Sequence, residues 1–209
     1  MDGNVEGVVL AAGLASRSGG RKMTLPLGDK TVIERTIEGM YGIVGRILVV
    51  VGWQAERIQE VLASYDKVEI VVNERFMAGM FSSVKAGLAQ VRAPSIVLLP
   101  GDCPLIAADT YRRMLAVAGD ILVPTFEGKR GHPVLLRGAL IPEILSRPDD
   151  STLRQYIDHK GCVFVEMDDD SILHDMDTPE DYHAVCARLR VRPHHGGDHC
   201  SRAEEELHG

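Results

Sequence analysis

The sequence contains no CxxC pair, and its four cysteines (Cys103, Cys162, Cys186 and Cys200) form no dense framework. That spacing excludes a disulfide scaffold and, with no secretory leader at the N-terminus, predicts reduced thiols in a cytoplasmic protein. No apolar run approaches the roughly 18 residues a spanning helix needs, so membrane insertion is not expected. Positive charge is also scarce: 23 Lys and Arg stand against 30 Asp and Glu, a net charge of −7. This balance argues against a nucleic-acid or membrane-surface partner and leaves room for one local basic pocket. Internal repeats are missing too.

What is present is ordinary globular material, 45% hydrophobic and 25% charged over 209 residues. A core can be buried at that length without staples. The expected organisation is one domain over residues 1–191 and a polar, disordered tail over 192–209. Short β-branched runs at Gly7–Ala11, Arg46–Gly52, Val68–Val72 and Ser95–Leu99 alternate with helical patterns at 31–40, 55–65, 82–91 and 109–118. Runs too short for helices and bounded by Gly or Pro suit strands buried on both faces of a parallel sheet. The predicted fold class is therefore α/β: a single-domain three-layer sandwich with a mostly parallel sheet, Rossmann-like. Its functional loops should sit at the carboxyl ends of the strands. Thr178-Pro179-Glu180-Asp181 has the signature of a helix start.

The most informative stretch follows the first strand. Leu10-Ala11-Ala12-Gly13 leads into Arg17-Ser18-Gly19-Gly20-Arg21-Lys22. Three glycines let backbone N–H groups turn inward, and three cations on one short loop suit a triphosphate better than a solvated turn. The loop is neither a Walker A nor a G-x-G-x-x-G fingerprint. Asp102, just past the strand ending at Leu99, and Asp177, just before the last helix, lie where ligands gather. Read alone, the first is a turn-former and the second a helix-capping acid. Beside a phosphate loop, both read as ligands of one hard divalent cation.

These residues carry a resemblance. Leu-Ala-Ala-Gly with Arg17, Gly19 and Lys22, Gly-Asp-x-Pro at 101–104 and Asp-x-Asp-Thr-Pro-Glu-Asp at 175–181 resemble the MobA-like nucleotidyltransferases. Within them they are most similar to the MocA-type molybdenum cofactor cytidylyltransferases. The likeness covers the chain to about residue 190. It implies the nucleotide-diphospho-sugar transferase-like fold and a Mg2+-dependent transfer of CMP from CTP to the phosphate of molybdopterin, releasing pyrophosphate. By the same resemblance, Arg17 and Lys22 are the catalytic cations. Leu10, Ala11, Ala12, Gly13, Arg17, Lys22 and Ser83 bind the nucleotide, and Asp102 and Asp177 bind the metal. The 79–83 and 87–88 stretches resemble the part that contacts the nucleoside. Ser83 reads equally as a helix cap.

Gly131-His132-Pro133 and Arg154 match acceptor-side positions, though a histidine before a strand is as often a structural hydrogen-bonder. The sequence departs from the family pattern at Ala15, Ser18 and Cys103. Expected partners are CTP, a molybdopterin-type acceptor and a molybdoenzyme that receives the product. Two other readings are transfer to a sugar or polyol phosphate, and a non-catalytic cofactor carrier or chaperone. In the tail, His194, His195, His199 and Cys200 have metal-ligand types; a polar tail is the favoured reading over adventitious zinc or nickel binding.

Overall fold

The computed structural model describes residues 4–13, 22–53 and 55–191. In chain order its first elements are β1 (Val5–Ala11), β2 (Pro26–Leu27), β3 (Lys30–Thr31), α1 (Val32–Tyr41), β4 (Arg46–Val51), α2 (Ala55–Leu62) and β5 (Val68–Val72). Next come α3 (Met80–Leu88), β6 (Ser95–Pro100), α4 (Ala108–Leu115), β7 (Ile121–Phe126), β8 (Lys129–Arg130) and β9 (Val134–Arg137). The last are α5 (Ile141–Ser146), α6 (Leu153–Lys160), β10 (Val163–Glu166) and α7 (Pro179–Val191).

The main sheet runs β10-β7-β9-β6-β1-β4-β5, with β8 hairpinned onto β7. Pairs β1–β4, β1–β6, β4–β5 and β7–β10 are parallel, while β9 is antiparallel to both neighbours. The strand β1 sits between β4 and β6, so the chain reverses its direction of growth there. Such a switch point opens a crevice at the carboxyl ends of the strands.

Successive side chains of a strand face opposite ways. Along β1, Val9 and Ala11 enter a core with Ile33, Ile37, Val49 and Leu99, whereas Val8 and Leu10 enter a second core with Val50, Val84 and Leu98. That two-sided burial is the reason the strand reads as one unbroken apolar run. The edge strand β5 departs from the expectation of two buried faces: none of its five residues is buried. It has a neighbour on one side only.

Helix bounds also differ from the sequence pattern. The helix α2 ends at Leu62, and Tyr65 lies beyond it, edge-on to Tyr41. The helix α3 starts at Met80 with Gly79 as its N-cap, so the capping alternative for Ser83 does not hold. Gly87, within the resembled nucleoside stretch, is a packing position: a Cβ there would lie 2.6 Å from Val8 and 2.9 Å from Val50. The predicted cap at Thr178 is found, its hydroxyl accepting from Asp181 N at 3.1 Å.

A third apolar cluster is decisive for the site. Leu25, Leu27 and Val32 pack with Leu105, Met176, Tyr182 and Val185. Tyr182 also donates its hydroxyl to Pro26 O at 2.6 Å. Burying each such aliphatic side chain contributes about 2 kcal/mol, enough to fix the start of α7 against the segment after Lys22. Among the described residues, no helix is long and apolar enough to cross a membrane. Cys103, Cys162 and Cys186 form no disulfide with one another. The 192–209 tail and its metal-ligand residue types lie outside the described residues.

Candidate active site

Gly13 closes β1 at the exposed carboxyl edge of the sheet, next to buried Ala11 and Ala12. Arg17 lies outside the described residues. Lys22 opens a 3-10 turn, Lys22–Thr24, and its side chain is 14% exposed. Asp102 follows β6 in a turn held by two bonds: Gly101 N donates to Leu10 O at 2.9 Å and Thr36 Oγ1 donates to Gly101 O at 2.8 Å. The structure brings the two aspartates together through Lys22. Its Nζ lies 2.5 Å from Asp102 Oδ2 and 2.7 Å from Asp177 Oδ1.

Burial works against the charge of Lys22, but hydrogen bonds to Asp102 and Asp177 outweigh it and leave its pKa above the ordinary lysine value. Lys22 is therefore a firmly cationic group between two carboxylates. Sequence reasoning missed Asp175. Burial, then the charges of Asp102 and Asp177, raise its pKa, which places it in the same acidic cluster. Its spacing of two from Asp177 was the available signal.

Among the described residues, no group of three or more His, Cys, Asp or Glu forms a ready metal cage. Two hard carboxylates already gathered around one cation nevertheless fit a magnesium- or manganese-type ion. Such ions take one or two carboxylates and complete their shell with substrate oxygens and water.

The polar group at the start of α3 was also missed. Buried Asn73 donates from Nδ2 to Ser82 Oγ (2.9 Å) and Ser83 Oγ (3.0 Å), and its Oδ1 accepts from Arg75 N. Ser83 is thus buried within α3, its oxygen committed to Asn73. An isolated asparagine after a strand gave no signal of this in the sequence.

A cavity of about 500 Å³ lies at the carboxyl ends of β1 and β6; Lys22, Asp102, Asp177 and Ser83 are not among its lining residues. Leu10, Phe81, Val84, Leu98 and Val123 give it apolar walls, and Pro100 leads from it to Asp102. His132 and Arg154 both line it, the former half-buried in the wall and the latter 83% exposed at the rim. The rim segment at Asp149 is tied to α3, since Lys85 Nζ donates to Asp149 Oδ1 at 3.0 Å and to Arg147 O at 2.7 Å.

A mostly parallel switch-point sheet with a lysine between two carboxylates at its carboxyl edge is the kind of place where phosphate ligands bind. Residues 7–163 match the MobA-like NTP transferase domain. The chain belongs to that family.

Two curated relatives are similar over most of their length. The molybdenum cofactor cytidylyltransferase of Escherichia coli (strain K12) is 29% identical over 179 residues, 85% of this chain and 93% of that protein. The nicotine blue oxidoreductase of Paenarthrobacter nicotinovorans is 30% identical over 191 residues, 84% and 93% of the two. That second name shows why the site, and not the fold, must carry the functional argument.

Among solved structures, the Mycobacterium tuberculosis Rv0371c homologue from Mycobacterium sp. strain JC1 superposes with a TM-score of 0.80 at 29% identity. It covers 92% of this chain and 100% of that one. Rv0371c from Mycobacterium tuberculosis H37Rv, in complex with manganese, gives 0.72 at 26% identity over 90% and 100%.

Proposed function

We propose that the protein transfers CMP from CTP to the phosphate of a molybdopterin-type acceptor, using Mg2+ and releasing pyrophosphate. The observation that carries this reading is the meeting of Lys22 with Asp102 and Asp177 just past the end of β6, the strand whose Leu98 and Pro100 line the apolar cavity. Phosphates would lie at the charged end. A flat heterocycle suits walls of Leu, Val and Phe.

In this reading Leu10, Ala11, Ala12 and Gly13 lie under the nucleotide, and Ser83, oriented by Asn73, keeps its hydroxyl proton for the base. Arg17 and Lys22 hold the triphosphate and neutralise charge that grows on the α-phosphate and the departing pyrophosphate. Asp102 and Asp177 would hold the metal, which when bound supplies Lewis-acid polarisation of phosphate oxygens. Arg154 would pair with the acceptor at the rim and His132 would meet it inside. The attacking oxygen of a phosphate is already anionic, so the chain's task is positioning and not proton abstraction. The setting is the cytoplasm, with a molybdoenzyme taking the product.

The test is pyrophosphate release from each of the four NTPs with Mg2+ or Mn2+, offered molybdopterin or a panel of sugar and polyol phosphates. Release from CTP with molybdopterin alone is expected. Equal release with sugar phosphates overturns the acceptor. Tight molybdopterin binding with no nucleotide dependence makes the protein a carrier instead.

A further inference from the structure

Six large apolar side chains are exposed among the described residues, and four of them, Trp53, Val72, Met77 and Met80, stand just after β4, at the end of β5 or at the start of α3. Trp53 is 52% exposed and is the only tryptophan in the chain. We propose that the Trp53 indole is the surface on which the base of the nucleotide stacks, adding affinity without choosing among bases. The inference rests on the nucleotidyl-transfer reading above and adds a contact which that reading does not name.

Three observations support it. The first is position. The strand β4 pairs with β1 in the register Leu10–Val50 and Ala11–Val51, and the close approach continues beyond both strands. A Cβ at Gly52 would lie 3.0 Å from Ala12 O and 2.7 Å from Phe76 Cβ and Cγ, so a side chain there would drive Phe76 away. The residue that this glycine delivers to the carboxyl edge of the sheet is Trp53. It therefore follows β4 on one flank of Ala12 and Gly13, while Asp102 follows β6 on the other. Two strand spacings separate those flanks, about 10 Å. A nucleotide lying across the end of β1 with its phosphates toward Lys22 brings its base to the β4 side.

The second is the neighbouring strand end. Asn73 N donates to Val51 O at 2.8 Å, and Asn73 holds Ser83. The hydroxyl assigned to the edge of the base and the indole offered to its face thus come from the adjoining ends of β5 and β4. A base has a polar rim and an apolar face, and both need a partner when it leaves water.

The third is exposure. An isolated apolar side chain at the surface is ordinary, but a tryptophan grouped with two methionines and a valine marks a contact surface. Met80 also lines the cavity, and Phe76, which touches Gly52, leads straight into Met77. Methionine adapts its shape to a flat ring. Every base presents a π-face, so stacking on indole holds cytosine without rejecting the others. Choice among bases falls to the polar groups at the rim.

The experiment uses Trp53 as its own reporter, since all tryptophan emission comes from this one residue. Wild-type protein is titrated with CTP and with inorganic tripolyphosphate, each with Mg2+, and binding is measured in parallel by calorimetry for wild type, W53A and W53F. CTP should quench the emission and tripolyphosphate should leave it unchanged. W53A should weaken CTP binding about tenfold and tripolyphosphate binding less than about twofold, and W53F should recover about threefold of the loss. The order of preference among the four NTPs should be the same in wild type and W53A.

Calorimetric binding of CTP with no change in emission overturns the inference, as does unchanged CTP affinity in W53A. Equal losses for CTP and tripolyphosphate overturn it too, because they mean damage to the phosphate end. A reordered preference among the NTPs overturns the claim that stacking is blind to the base. Quenching by CTP without transfer to any acceptor overturns the functional reading and leaves Trp53 in place, and transfer without quenching does the reverse. A wild-type protein that binds no nucleotide overturns both.

Discussion

Asp102 and Asp177 come from different loops, yet each sets a carboxylate oxygen within 2.7 Å of the same atom, Lys22 Nζ. In the proposed function a divalent ion would draw on the same two carboxylates. Lys22 thus both restrains the two acids and competes for their oxygens. Removing it should separate those roles. In K22A, transfer should fall about a hundredfold, as when one charged donor is lost from a dry site. Affinity for Mn2+ alone should rise, since two carboxylates lose their internal counter-ion. Paramagnetic resonance of free Mn2+ reads the second effect, and weaker Mn2+ binding in K22A would refute the competition.

Asp177 is the exposed member of the pair, its side chain 68% open to solvent. D177N should therefore leave the melting temperature nearly unchanged, as surface substitutions do within about 0.5 kcal/mol. Mn2+ affinity and transfer should both fall by about tenfold or more. Unaltered Mn2+ affinity in a folded D177N protein would remove this residue from the metal site.

Ser83 answers to Asn73. S83A leaves the asparagine amide with Ser82 as its remaining partner, at a cost of about 1 kcal/mol in urea unfolding. Its affinity for CTP should drop as well, because the hydroxyl assigned to the base is gone. Destabilisation with unchanged CTP binding would make Ser83 a purely structural residue.

Asp170 anchors the segment that carries Asp175 and Asp177. Arg188 donates to both its oxygens at 2.7 Å, and His174 Nε2 lies 3.0 Å away. The Arg188 bonds, then His174, hold its carboxyl far below the usual carboxylate range. A depressed folded pKa gives stability that is present above the ordinary value near 4 and is lost as pH falls through the folded one. After solvent screening at this partly exposed pair, D170N should cost about 1 kcal/mol at pH 7. The difference from wild type should shrink steadily as unfolding is repeated below pH 4. A difference independent of pH would contradict the charge argument.

Much of the sheet was legible because burial on both faces writes a strand as a bare apolar run, as at Val8–Ala11 and Ile47–Val51. The two aspartates were legible because each stands at a chain position, after a strand or before a capped helix, that has a meaning of its own. Asp175, Asn73 and the tie from Lys85 to Asp149 were not. Asn73 and Lys85 acquire their roles from residues that nothing in the local pattern marks, and Asp175, two positions from Asp177, shows only in the fold that it also feels the charge of Asp102. Gly87 was legible as part of a motif but for another reason: it is small because α3 lies against Val8 and Val50.

By itself the sequence determined the order of elements and the acids at loop positions, since periodicity and local chemistry are properties of neighbours along the chain. Only the tertiary structure decided that Lys22 stands between Asp102 and Asp177, and that His132 lines an apolar cavity within reach of the Asp102 charge. Those distances depend on the packing of α7 against Leu25 and Leu27 and of Gly131 against Ile172. Contacts of that kind are set by the shapes of surfaces far apart in the chain, which no local run of residues encodes.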